Sequence, residues 1–113
     1  MKILVLLSMA AGLYAHDAKG KAWAPASAKG LKNPVPAAEA AQGQAPFQAL
    51  CADCHSAQGK APDLGGHHVH GLKDGELYWI ITNGAGRKMP GFAKQLSQVE
   101  RWRVVNYVRT LHK

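Results

Sequence analysis

Only two cysteines occur in the 113 residues, and both sit in one short stretch, "LCADCHSAQGKAPDLGG", at 50 to 66. None lies near the N-terminus, which excludes a lipid-modified cysteine there. No apolar run reaches the roughly 18 residues that a membrane-spanning helix requires; the one from Ile3 to Ala15 is broken by His16 and Asp17. Nothing after that run alternates apolar and polar residues, so no strand is expected and the fold class is all-α. There are no internal repeats, which removes solenoid architectures. The lysines form no dense run, and this makes nucleic acid a poor partner.

What is present begins with "MKILVLLSMAAGLYA", where Lys2, an apolar run and small residues near Ala15 read as a cleaved export signal over 1 to 15. Cleavage leaves no transmembrane anchor, and it takes Lys2 away, so the formal charge falls from +7 to +6. A basic exported chain suits docking onto acidic proteins or anionic surfaces. Export to the periplasm or an equivalent space also places two thiols where a disulfide would ordinarily close. Residues 16 to 37 are rich in Ala, Lys, Gly and Pro with one large side chain, Trp23, and read as a flexible arm.

A single domain over 38 to 113 remains. "AAEAAQGQAPFQALCADCH" contains helix formers, with Phe47, Leu50 and Cys54 on one face, so a helix running into the cysteines is expected. Pro46 either starts that helix or bends it. After a Gly/Pro-rich loop reaching through "GGHHVHG", Asp74 is the expected cap of a second helix, Leu77, Ile80 and Ile81 form its stripe, and Asn83-Gly84 stops it. The last helix opens on Ser97 and Glu100 as a capping box and carries Trp102, Val105 and Val108 beside Val104, Tyr107 and Leu111. So short a domain buries too little surface to be comfortable alone, and a large apolar cofactor would supply the missing core.

Within a helical turn Cys51, Cys54 and His55 lean to one side. Two thiols at this spacing can add across the two vinyl groups of a haem while the adjacent imidazole reaches the iron, and CxxCH is the signature of that attachment. Thioethers would also escape disulfide formation. Other chemistries use the same atoms. Zinc could take Cys51 and Cys54 with two of His67, His68 and His70, and a thioredoxin-like thiol pair would require a βαβ setting.

These residues, with "APDL" at 61 to 64, "KMPGF" at 88 to 92, and Gly43 and Phe47 placed eight and four residues before Cys51 and paired with Tyr107, resemble the class I c-type cytochromes. The resemblance runs from about Gly43 to Leu111. It implies a small helical fold around one covalent haem c, held by Cys51 and Cys54, in which Gly43, Phe47 and Tyr107 meet where the first and last helices cross. His55 becomes the proximal iron ligand, the Pro62 carbonyl accepts its second N–H, and Leu64 packs on the haem face. Met89 becomes the sixth ligand; it is the one methionine left after the signal, and its thioether favours ferrous iron. His67, His68 or His70 would be the competing axial ligands.

With both axial positions filled no site is left for substrate, so the expected role is one-electron transfer rather than catalysis. Lys60, Lys73, Arg87, Lys88 and Lys94 either ring the haem edge and steer acidic donor and acceptor proteins or are scattered solvated charges. Tyr78 and Trp79 either reach a propionate or pack in the core, and Trp102 packs between helices. A second reading makes the chain the haem c subunit of a larger oxidoreductase; a third makes it a small zinc-binding module.

Overall fold

The computed structural model describes residues 23–55, 63–86 and 89–112, apart from the side chain of Asp53. The expected signal at 1–15 and the start of the arm at 16–22 lie outside the described residues. Within them the architecture is all-α: α1 (Gln44–Leu50), α2 (Ala52–His55), α3 (His67–His70), α4 (Asp74–Asn83) and α5 (Gln98–Arg109), preceded by two 3₁₀ segments at Ala26–Gly30 and Ala37–Gly43. The one extended pairing among the described residues is an isolated antiparallel bridge between Ala85 and Met89.

Helix α5 forms as its sequence requires. The Ser97 hydroxyl accepts the Glu100 N–H at 3.2 Å and the Glu100 carboxylate accepts the Ser97 N–H at 2.8 Å, so two donors that the first turn leaves open are satisfied reciprocally. Its inner stripe places Val104 and Val105 at 1% and 0% exposure, with Trp102 and Val108 also buried. Each such side chain contributes about 1.5–3 kcal/mol by leaving water.

The crossing of α1 and α5 is close. A Cβ on Gly43 would run into the Arg103 carbonyl, and four residues on, the Phe47 and Tyr107 rings meet with centroids 5.1 Å apart and a tilt of 51°. The helix expected from Ala38 is there, but it runs as 3₁₀ to Gly43 before becoming α at Gln44. Pro46 is therefore the third residue of α1, in its first turn, where proline is tolerated better than in a helix interior.

Helix α4 differs from expectation at its start. Lys73 is the N-cap, and its N–H is taken by the Glu76 carboxylate at 2.9 Å. Asp74 does not cap; its carboxylate faces Arg109 at 2.9 Å, an ion pair that joins α4 to the end of α5. The stop is as expected, with Gly84 at φ 88° and its N–H on the Ile80 carbonyl at 2.7 Å. The histidine stretch, expected as loop, makes the single turn α3, in which Val69 is buried while His67 and His68 face solvent.

The described part of the 16–37 arm is not free. Trp23, Ala24 and Val35 pack on the hydrophobic core, Ala28 is buried, and Gly75 admits no side chain because the Ala28 carbonyl already occupies the place of its Cβ. Asn106, buried on α5, donates to the carbonyls of Val35 and Pro36 at 3.2 and 3.1 Å and accepts from Asn33 at 2.7 Å. The ties are polar and far apart in sequence, so no apolar period announces them.

Candidate cofactor site

Cys51 follows the α1–α5 crossing by one turn. Its N–H donates to the Phe47 carbonyl at 2.8 Å and its own carbonyl accepts the His55 N–H at 3.0 Å, so Phe47, Cys51 and His55 are successive rungs of nearly continuous helix. Cys51 is buried in the core cluster, Cys54 is exposed and His55 is half-buried. Both thiols are free, with no disulfide between them. Burial, and secondarily the neighbouring Cys54, push the Cys51 thiol up to about 11. That surrounding favours a neutral sulfur, and a thioether carries no charge at any pH.

Met89 comes from a tight loop at the end of α4. The Ala85 N–H donates to the Met89 carbonyl at 3.0 Å and the Met89 N–H returns to Ala85 at 3.4 Å. Gly86, at φ 61°, lies between them. The Met89 carbonyl also lies 2.5 Å from where a Gly84 Cβ would be, so only glycine lets the loop fold back this closely. Beyond it the Phe92 N–H donates to the Ile81 carbonyl at 2.8 Å and the Phe92 ring is buried. Met89 is half-buried against the same cluster that contains Cys51.

Leu64 packs on that cluster as well. It sits in a turn in which the Asp63 carboxylate accepts the Gly65 N–H at 2.9 Å and the Asp63 carbonyl accepts the Gly66 N–H at 3.0 Å. The Leu64 carbonyl accepts Nε2–H of His70 at 2.7 Å. Pro62 lies outside the described residues, as do Lys60, Arg87 and Lys88. Lys73 and Lys94 are exposed.

The structure thus packs Leu64 and Met89 against the core cluster that contains Cys51, with His55 a turn from Cys51. Two sulfurs for covalent attachment, an imidazole and a thioether are the donor set that a covalently held haem uses. Zinc is less well served: among the described residues no group of three or more His, Cys, Asp or Glu side chains is placed to hold a metal ion. Of the two aromatics on α4, Tyr78 has its hydroxyl engaged by Arg101 at 3.0 Å and its ring stacked on Trp102 at 4.0 Å between centroids. Trp79 is half-buried against the core. Trp102 packs between the helices, as expected.

One buried charge was not anticipated. Arg101 is buried at the base of the α5 stripe, and the signal was present: in the run 101, 104, 105, 108 it is the one charge among valines.

No helix among the described residues is long and apolar enough to cross a membrane. No curated protein matches the chain. A family model does, over residues 38–108, and its description is cytochrome c oxidase, cbb3-type, subunit III. The match spans more than half of the chain and takes in both cysteines, His55 and Met89, and such a domain implies covalently bound haem c and electron transfer. The chain belongs to this family of c-type cytochromes.

Proposed function

We propose that the protein is an exported carrier with a single haem c, which passes one electron at a time between redox partners in the periplasm. Cys51 and Cys54 hold the haem through thioethers, His55 and Met89 ligate its iron, the Pro62 carbonyl orients the His55 ring, and Leu64 packs on the haem face. What supports the reading above all is the convergence of buried Cys51, half-buried Met89 and Leu64 on one apolar cluster inside the matched domain. Haem bound there supplies reversible one-electron exchange between ferrous and ferric iron. The chain's part is to hold the ligands, keep water from the centre and leave an edge open to partners. The exposed Lys73 and Lys94 are suited to meeting acidic partner surfaces.

Two measurements on protein matured in a host that attaches c-type haem test this reading. Intact mass must show the chain, less its first fifteen residues, plus one haem, and Cys51→Ala must remove one of its two covalent links. Met89→Ala should keep the pigment attached, lower the reduction potential and open the iron to added ligands; an unchanged potential would remove Met89 from the site.

The matched family's description favours a second reading, in which this chain is the haem c subunit of a larger oxidoreductase. Purification from the native host distinguishes them: a carrier elutes alone, whereas a subunit stays with its complex through gel filtration in detergent.

A further inference from the structure

Arg101 is 6% exposed, and among the described residues the ion pairs are Arg103 with Glu39 and Arg109 with Asp74, so no carboxylate balances it. Its donors go elsewhere. Nη1 donates to the Leu96 carbonyl at 2.6 Å and to the Ala93 carbonyl at 3.4 Å, and Nη2 donates to the Tyr78 hydroxyl at 3.0 Å. The guanidinium lies over the Tyr78 ring, 5.2 Å from its centroid, and Nε is buried without a partner. Burying a cation on these terms is costly. An apolar side chain would fill the stripe without that cost, but it could not bind two backbone carbonyls and a helix α4 hydroxyl at once.

Those carbonyls belong to the segment that follows Met89. Its upstream end is held by the Ala85–Met89 bridge just beyond α4 and by the Phe92 N–H on Ile81 of α4. Its downstream turn closes through the Gln95 and Leu96 N–H groups on the Phe92 carbonyl, and Arg101 ties that turn to α4 and α5 together. We infer that Arg101 is a positioning residue for Met89, bracing the 89–96 segment so that the thioether stays seated against the core. The inference rests on the proposed ligation by Met89.

The test uses the ferric holoprotein and its far-red methionine-to-iron charge-transfer band, the alkaline pH at which that band is lost, and the affinity for added imidazole. Arg101→Met should weaken the band, shift its loss to lower pH and tighten imidazole binding about tenfold, roughly 1.4 kcal/mol. Arg101→Lys should recover part of each change, since it keeps the charge and one carbonyl bond but loses the fork. Tyr78→Phe should move all three in the same direction by less. Wild-type band, pH and imidazole affinity in Arg101→Met overturn the inference, as does a variant that only unfolds more easily with ligand displacement unchanged. If Arg101→Met does not accumulate as holoprotein, Arg101→Lys and Tyr78→Phe decide the matter, and wild-type imidazole affinity in both overturns it. Met89→Ala separates the two levels: it should abolish the band, and a band that survives overturns the ligand assignment and the inference with it.

Discussion

Position 43 shows how a single residue places the site. The α1–α5 crossing leaves no space beside its Cα, where the Arg103 carbonyl already lies, and the helix axis fixed there carries Cys51 and His55 two and three turns further on. Gly43→Ala forces one backbone away from the other. Overpacking of this kind costs roughly 1–3 kcal/mol, and here the displacement is transmitted along α1 to the cysteines. The expected result is a less stable holoprotein with a shifted Soret band and a lower yield of attached haem, measured by denaturant unfolding and pigment per mole of chain. Stability and haem yield equal to wild type would show that the crossing does not position the cysteines. The glycine, the ring four residues later and Tyr107 were legible as a set through the family resemblance, which pairs Tyr107 with two positions at local spacing from Cys51. Arg101 was legible only as an oddity, since its meaning depends on carbonyls at 93 and 96 that a linear pattern does not place beside it.

Among the elements, α5 was the most legible and α4 partly so, and the cause is chemical. A capping box writes both of its partners into four consecutive residues, whereas the Asp74 carboxylate was drawn from the expected cap by Arg109, 35 positions away. The box also makes α5 sensitive to acid. Hydrogen bonds from the Ser97 backbone N–H and then the Ser97 side chain, with Arg103 nearby, hold the Glu100 carboxyl below its ordinary value of 4.5. A depressed carboxyl contributes stability that is present above that value and is lost as pH falls through the folded one. Unfolding midpoints of the holoprotein should therefore decline below about pH 4.5, and Glu100→Gln should make this acid decline shallower. Ser97→Ala should lower stability at neutral pH by about 1 kcal/mol. Parallel acid limbs in wild type and Glu100→Gln would show that another carboxylate governs them.

Across the whole molecule, the segment from Trp23 to Pro36 closes the fold over α4 and α5, joining residues some seventy positions apart. Asn106 is the centre of that closure. One buried amide donates to two strap carbonyls and accepts from Asn33, while Asn33 also reaches Asp74 at 3.5 Å and so touches the ion pair that binds α4 to α5. Composition concealed this because Ala, Lys, Gly and Pro are the residues of a tail, and two asparagines 73 positions apart carry no period. Asn106→Leu keeps the branched outline but abandons the Val35 and Pro36 carbonyls, and an unsatisfied buried polar group costs about 1–3 kcal/mol. The strap should then open locally before the haem-bearing core unfolds. In limited proteolysis of the holoprotein followed by mass spectrometry, cleavage after Lys29 or Lys32 should appear well before any cut in α4 or α5, with the visible spectrum unchanged at that stage. If the first cuts instead fall in the helices, or the spectrum changes along with strap cleavage, the strap unfolds with the core as one cooperative unit.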